Sequence, residues 1–355
     1  MKVEVIWMVR RYIVVSAAIF LLLTGCSGTK EANVKEHKEK AIENVQKETA
    51  EFPNYFPLTG IGTKEEVGGR AVAVMVNNHP KARPQTGLDK ADIVYELLAE
   101  GNVTRFLAIF QSEKPEKIGP VRSAREYYIK LAKAYDSLYI AHGYSPDAKE
   151  MLDNGYIDNL NGMQYDGTLF KRSTDRVAPH NSYITYEKIL EGAEKNSFSM
   201  KNAPEPLTFL TKDEIKKLEG QPGKKVSVAY LNNPTFTATY EYDETIGKYK
   251  RFSAGEQTVN YETDAPVLLD NVFIVETEHQ TLNDGAGRRK IDLTSGGKAY
   301  LLQKGFLRQV EWKSQDGRIV PVINGAIVGF VPGKTWINIV PSNPGLTSEV
   351  KVEAN

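Results

Sequence analysis

The chain has 355 residues, 45 Lys and Arg against 45 Asp and Glu, 41% hydrophobic and 25% charged positions, a profile of ordinary folded protein with mass enough for two domains. Disordered, collagen-like and multi-pass membrane classes are excluded. A formal charge of zero offers no clustered basic field for phosphate backbones, so nucleic acid is not an expected partner. The single cysteine, Cys26, cannot form an internal disulfide.

In chain order, the first element is an address. Lys2, Arg10 and Arg11 precede an apolar run from Tyr12 to Leu23, and Leu23-Thr24-Gly25-Cys26 follows. A basic head, an apolar stretch and small residues before a cysteine have the form of the lipobox signal of bacterial lipoproteins. The run is shorter than the ~20 residues a spanning helix needs. Residues 1–25 are therefore expected to be a cleaved signal, with Cys26 carrying the lipid that anchors the chain on the extracytoplasmic face of the cell membrane. Residues 26–51 are rich in Lys, Glu, Ala and Asn and poor in large apolar side chains, and they read as a charged tether.

Order begins at Phe52-Pro53-Asn54-Tyr55-Phe56-Pro57. Arg70 to Val76 is an apolar strand pattern followed by the turn-forming Asn77-Asn78-His79-Pro80. Asp92 to Leu98 and Val103 to Phe110 are further strands, punctuated by Gly101-Asn102. Gly119-Pro120 predicts a helix from about Val121 to Tyr135, because Pro suits a helix start and Ile129, Leu131, Ala132 and Tyr135 recur at helical spacing. A strand over Leu138 to His142, a helix opened by Ser145-Pro146-Asp147 and ending near Gly155, and a helix over Tyr183 to Lys195 complete a mixed α/β domain, 52–205.

Thr211-Lys212-Asp213-Glu214 has the order of a capping box before a short helix, and Gln221-Pro222-Gly223 breaks the chain. Beyond it, short runs alternate between turn signals: Val226 to Leu231, Thr235 to Tyr242, Lys248 to Phe252, Val267 to Glu276, Lys298 to Gln303, Phe306 to Trp312, Ile319 to Val322 and Thr335 to Val340. The fold class expected is α+β, with the mixed domain followed by a mostly antiparallel module, 206–355, forming a small sandwich or open barrel.

Chemistry-bearing residues concentrate in 77–181, which holds His79, His142 and His180 and the arginines Arg83, Arg105, Arg122, Arg125, Arg172 and Arg176. Arg122-Ser123-Ala124-Arg125 falls in the predicted first helical turn, where free N–H groups already favour an anion, so two arginines sharing a face at i,i+3 point to a phosphate or carboxylate. The competing reading pairs them with internal acids such as Glu96, Glu100 or Asp166. Arg172, Arg176, His180 and Asn181 form a second polar run in a loop, where an Arg–Asp staple would look the same as a ligand site. His79 before Pro80 is extended and either enters a cleft or closes a turn.

Three histidines with Asp147, Asp153 and Asp166 lack any metal-ligand spacing, and P-loop, dinucleotide and serine-hydrolase motifs are missing, so no metal or cofactor is expected and no catalytic residue is assigned. The tyrosines clustered from Tyr127 to Tyr186 serve as core, or as stacking faces for sugars.

Long ordered blocks then carry a resemblance. Ala73-Val74-Met75-Val76-Asn77-Asn78-His79-Pro80-Lys81-Ala82-Arg83-Pro84-Gln85-Thr86-Gly87-Leu88, Thr104-Arg105-Phe106-Leu107-Ala108, Ile118-Gly119-Pro120-Val121-Arg122-Ser123-Ala124-Arg125 and Ala178-Pro179-His180-Asn181 are similar to the YerB-like bacterial lipoproteins. Asn271-Val272, Asp292-Leu293 and Thr335-Trp336-Ile337 resemble the family's second part. The resemblance implies a lipid-anchored protein outside the cytoplasmic membrane, in a family without an assigned activity.

Three functions follow as expectations. The first is binding of an anionic envelope component such as a glycopolymer, with Arg122 and Arg125 as clamps, Arg105, Arg172 and Arg176 as neutralising partners, Ser123 beside them, and His79, His142, His180 and Asn181 as polar readers. The second is a metal-independent hydrolase or transferase on phosphodiester or sugar-phosphate polymers, with His142 or His180 as acid/base. The third is a scaffold for membrane or wall proteins, using edge strands of the β module.

Overall fold

The structure, a computed structural model, describes residues 52–353. Cys26, the signal segment and the tether lie outside the described residues. Phe52–Asn355 is one compact unit.

The fold is α+β, a mixed-sheet region followed by antiparallel-rich strands. Its backbone is a 12-stranded sheet whose centre reads, in spatial order, Gly297–Gln303, Asn271–Thr277, Thr335–Pro341, Ile93–Leu98, Thr104–Phe110, Val72–Asn77, Leu138–Ala141 and Asn159–Asn161. Thr335–Pro341 runs parallel to neighbours from both halves of the sequence, opposing Thr335 to Ile93 on one side and to Asn271 on the other. The segments expected to be separate domains thus contribute strands to one sheet. Other C-terminal strands, among them Lys225–Ala229, Thr237–Asp243, Lys248–Ser253 and Val350–Val352, form a six-stranded sheet.

Both faces of the long sheet are covered. Val72, Val74 and Val76 join Val226, Val228, Tyr240 and Tyr249 in one core, while Ala73 and Met75 on the opposite face join Tyr128, Leu131 and Ala132 of the helix Glu126–Lys133 in another. Burial on both faces explains why Val72–Asn77 reads as a continuous apolar run instead of an alternating one. The expected sandwich exists, but one of its sheets is the long sheet that the first half also builds.

A buried ion pair crosses between these sheets. Glu96 and Arg251, 0% and 1% exposed, meet at 2.8 Å, and Arg251 lies 4.3 Å from the centre of the Trp336 ring. Asn78 Nδ2 and Thr104 Oγ1 donate to Glu96 Oε1 at 3.2 and 3.0 Å, and Trp336 Nε1 donates to Oε2 at 3.2 Å. Burial pushes the Arg251 pKa down, and Glu96 and Tyr240 together more than offset this, so it ends above its ordinary value.

Two predicted boundaries shift. The helix expected from Val121 begins at Glu126, with Arg125 extended at its N-cap position. Residues 119–124 instead use their backbone in bridges: Arg122 N–H donates to Met75 O, Val121 N–H to Ser182 O, and Arg122 O accepts from His142 N–H. These bonds fix an extended chain that a helix start at Val121 would break. The helix expected from Tyr183 is a strand, Ser182–Thr185, followed by Tyr186–Lys195, capped by the Thr185 hydroxyl at Lys188 N. The Thr211–Glu214 capping box forms as predicted.

Two stability predictions follow. Replacing Arg251 with Met leaves the Glu96 carboxylate buried and unpaired and should cost about 3–5 kcal/mol in urea unfolding. Adding Glu96→Gln to that variant should recover much of the loss, whereas a further additive loss would show that the pair is not a unit. Glu349 accepts from Leu231 N at 2.8 Å while its Oε2 finds no partner, and burial pushes its carboxyl up to about 7. A raised carboxyl favours folding below its ordinary pKa, and this advantage is lost as pH climbs through about 7. Glu349→Gln should therefore melt above the parent protein at pH 8 and level with it at pH 4; the same offset at both would remove the linkage.

Candidate functional site

The site lies where three segments of the mixed region meet: the turn after Val72–Asn77, the extended stretch 119–124, and the loop between the strands Phe170–Arg172 and Ser182–Thr185. Backbone bonds place Arg122 among them, since its own and its neighbour's amides bond Met75 and Ser182 and its carbonyl accepts from His142.

Of the predicted arginines, three are structural. Glu100 takes both Arg105, at 2.6 Å, and Arg125, so the proposed Arg122–Arg125 clamp is not built. The reason is burial: Glu100 satisfies two largely buried guanidinium groups at once, and Arg105 also donates to Ser123 O at 2.8 Å. Ser123 Oγ in turn donates to His142 O at 3.1 Å. Arg176 donates to Ala82 O and Pro84 O at 2.6 and 2.7 Å and lies 4.4 Å from the centre of the Tyr261 ring, stapling one loop to another.

Arg122 is different. It is half-buried, its Nε has no partner, and burial together with Arg105 pushes it down to about 10. Among the described residues every other arginine has a hydrogen bond or ion pair.

The histidines gather beside it. His79 and His180 stack with ring centres 4.5 Å apart and planes inclined by 25°. Asn77 Nδ2 lies 2.9 Å from His180 Nδ1, and Asn77 Oδ1 accepts from His79 N–H at 2.9 Å. His142 Nδ1 is 2.7 Å from Ser182 Oγ, and its Nε2 is 3.0 Å from Arg172 NH2. Arg172 also holds Asp166 at 2.9 Å and reaches Asn181 Oδ1 at 3.2 Å, while Asn181 Nδ2 donates to Ser173 O. Gly162 is required here, because a Cβ would run into the His142 ring. All three histidines are lowered by burial first and by neighbouring cations next, Arg122 among them in each case.

Asp166, His142 and Ser182 have the residue types of a hydrolytic triad but not its arrangement. Arg172 can only donate, so His142 Nε2 accepts and Nδ1 carries the proton toward Ser182 Oγ. His142 is then no base for Ser182, whose side chain is 1% exposed. What the cluster offers is donors: a guanidinium and imidazole N–H groups, with the nearby carboxylate already taken by Arg172.

Two hollows lie elsewhere. One of about 240 Å³ borders Arg70 and Asp158, which pair with each other, and one of about 450 Å³ borders Thr86, Lys117 and Glu262, the last two also paired. The unsatisfied charge is at Arg122. No group of three or more metal-ligating side chains occurs among the described residues, and no described helix is long and apolar enough to cross a membrane.

The comparisons with known proteins can be set beside this geometry. Residues 58–199 and 226–337 match the N-terminal and C-terminal domains of a family described as a protein of unknown function, DUF3048. The chain belongs to this family. A Bacillus subtilis (strain 168) protein named "Putative lipoprotein YerB" is 47% identical over 325 residues, covering 91% of this chain and 92% of its own. The crystal structure of YerB protein from Bacillus subtilis superimposes with a TM-score of 0.79, covering 85% of this chain and all of the solved one. The two family segments meet in the long sheet, since Thr335 and Ile337 of the second pair with Ile93 and Tyr95 of the first.

Asn77, Ser182 and Asp166 join the site without having been singled out as binding residues. Asn77 had a signal in the turn motif that contains His79, and Asp166 had one as an internal acid for the arginines and a neighbour of the histidines; Ser182 had none beyond adjacency to Asn181. Thermal unfolding should separate the arginines: Arg125→Ala is expected to lose about 1–3 kcal/mol through its charged hydrogen bonds, and Arg122→Ala to melt level with or above the parent protein, because it removes a desolvated, unpaired charge. Equal losses in both would make Arg122 structural.

Proposed function

We propose that the protein is a lipid-anchored binding protein on the extracytoplasmic face of the cell membrane, holding an anionic component of the cell envelope at Arg122. The observation that carries this reading is Arg122, the one arginine among the described residues whose side chain has no hydrogen-bond or ion-pair partner, set among three histidines with no free carboxylate beside it. A fold that neutralises its other described arginines and leaves one half-buried cation open is arranged for an anion that arrives from outside. His79 and His180 supply polar donors, Asn181 and Arg172 shape the loop that presents His180, and Arg105, Arg125 and Ser123 hold the floor. The lipid reading rests on the Leu23-Thr24-Gly25-Cys26 pattern and on the name of the Bacillus subtilis relative.

Native mass spectrometry of the full chain, solubilised from the membranes of its own host, tests both parts. The chain mass should correspond to loss of residues 1–25 and gain of lipid at Cys26, and an anionic species should accompany the parent protein and be missing from Arg122→Ala. An unmodified Cys26 would overturn the tether. An empty protein in both forms would overturn the ligand site and favour the scaffold.

A further inference from the structure

The donors around Arg122 have a geometry that selects among anions. Asn77 cannot be flipped, because its Oδ1 accepts from His79 N–H; its Nδ2 therefore donates to His180 Nδ1 at 2.9 Å. His79 Nδ1 accepts from Lys81 N–H at 3.2 Å. With both Nδ1 atoms acting as acceptors, the proton of each neutral ring sits on Nε2. Neither Nε2 has a partner among the described residues, and the stack at 4.5 Å sets the two rings side by side. Arg122 adds a guanidinium whose Nε is also unpartnered. Its backbone is bonded to Met75 O, on the strand that leads to His79, and Val121 is bonded to Ser182 O, just after His180.

We propose that the group received here is phosphoryl, held jointly by the Arg122 guanidinium and the Nε2–H donors of His79 and His180, with Asn77 as the positioning residue that fixes the His180 tautomer. This rests on the reading of Arg122 as an anion anchor and names the chemical class it takes. A carboxylate has two oxygens, and a guanidinium fork engages both, leaving only their remaining coplanar lone pairs for the imidazoles. A tetrahedral phosphoryl group has further oxygens and can accept from the guanidinium and the two imidazoles together. The acidic side chain near the cluster, Asp166, is already bound to Arg172, and no carboxylate pairs with Arg122, His79 or His180 among the described residues.

The test is an NMR titration of residues 52–355, the compact unit, whose solved relative matches 85% of this chain. Histidine ring nitrogens are observed while inorganic phosphate or acetate is added. Phosphate should bind more tightly than acetate and shift the Nε2 resonances of His79 and His180. His79→Ala and His180→Ala should each weaken phosphate about tenfold, the worth of one charge-assisted hydrogen bond, and leave acetate unchanged. Asn77→Ala should weaken phosphate and give His180 mixed tautomers, a signature that mere loosening of the turn would not produce.

Equal affinity for the two ions in the parent protein, a comparison that needs no variant, overturns the phosphoryl assignment. If Arg122→Ala still abolishes binding in that case, the anion reading stands. Failure of the parent protein to bind either ion overturns both. Poly(glycerol phosphate) in solution and phosphatidylglycerol vesicles carry the same group, and saturable, Arg122-dependent binding to either supports the class and names its source.

Discussion

Among the described residues, Glu96 and Arg251 are the one ion pair in which both partners are essentially excluded from water, and the pair joins the two sheets. Such a pair is not a net source of stability; its desolvation is compensated only while every neighbouring donor and acceptor is in place. Asn78, Thr104 and Trp336 occupy those places. The site lies one residue away. Asn78 bonds Glu96, and Asn77 next to it orients His180 and His79, so the binding cluster is attached directly to the most constrained part of the core.

The loops around the cluster are held by the same means. Arg83 donates to Asn78 O and Oδ1 and reaches Thr235 O across to the C-terminal half, Gln85 donates to Asn77 O, and Arg176 bonds the carbonyls of Ala82 and Pro84. Side chains that look like ligand-binding arginines are therefore scaffolding around the one described arginine that is open, Arg122. A site supported by neighbours locked in this way needs little rearrangement when an anion enters, which lowers the entropic cost of binding.

Sequence periodicity made the strands and most helices legible, because a strand buried on both faces or a capped helix leaves a local signature. It could not show that Thr335–Pro341 lies between Asn271–Thr277 and Ile93–Leu98, since parallel pairing over such separations has no local mark. The arginines show the same limit. Arg122 and Arg125 are equivalent by spacing, and what distinguishes them is Glu100, which lies before both in sequence and reaches only Arg125 and Arg105. The helix start was misread because the 119–124 backbone is claimed by Met75, Gly143 and Ser182, partners drawn from distant segments. Asn77 was legible as part of a turn and not as an orienting group, because its role depends on a histidine more than a hundred positions away.

Charge balance gives the last connection. The chain is neutral overall, and a uniform surface field cannot draw in an anion. Local imbalance can: Asp166 and Glu100 are consumed by Arg172, Arg105 and Arg125, leaving the positive charge of Arg122, which adds to burial in lowering the proton affinity of all three histidines. Neutral imidazoles in that position remain hydrogen-bond donors without adding repulsion among themselves. On the reading proposed above, the unpaired guanidinium costs the empty protein stability, and an anion that binds only the folded state returns it by mass action. Folding strain and ligand affinity are then two aspects of one desolvated charge, the guanidinium of Arg122 that no described side chain pairs.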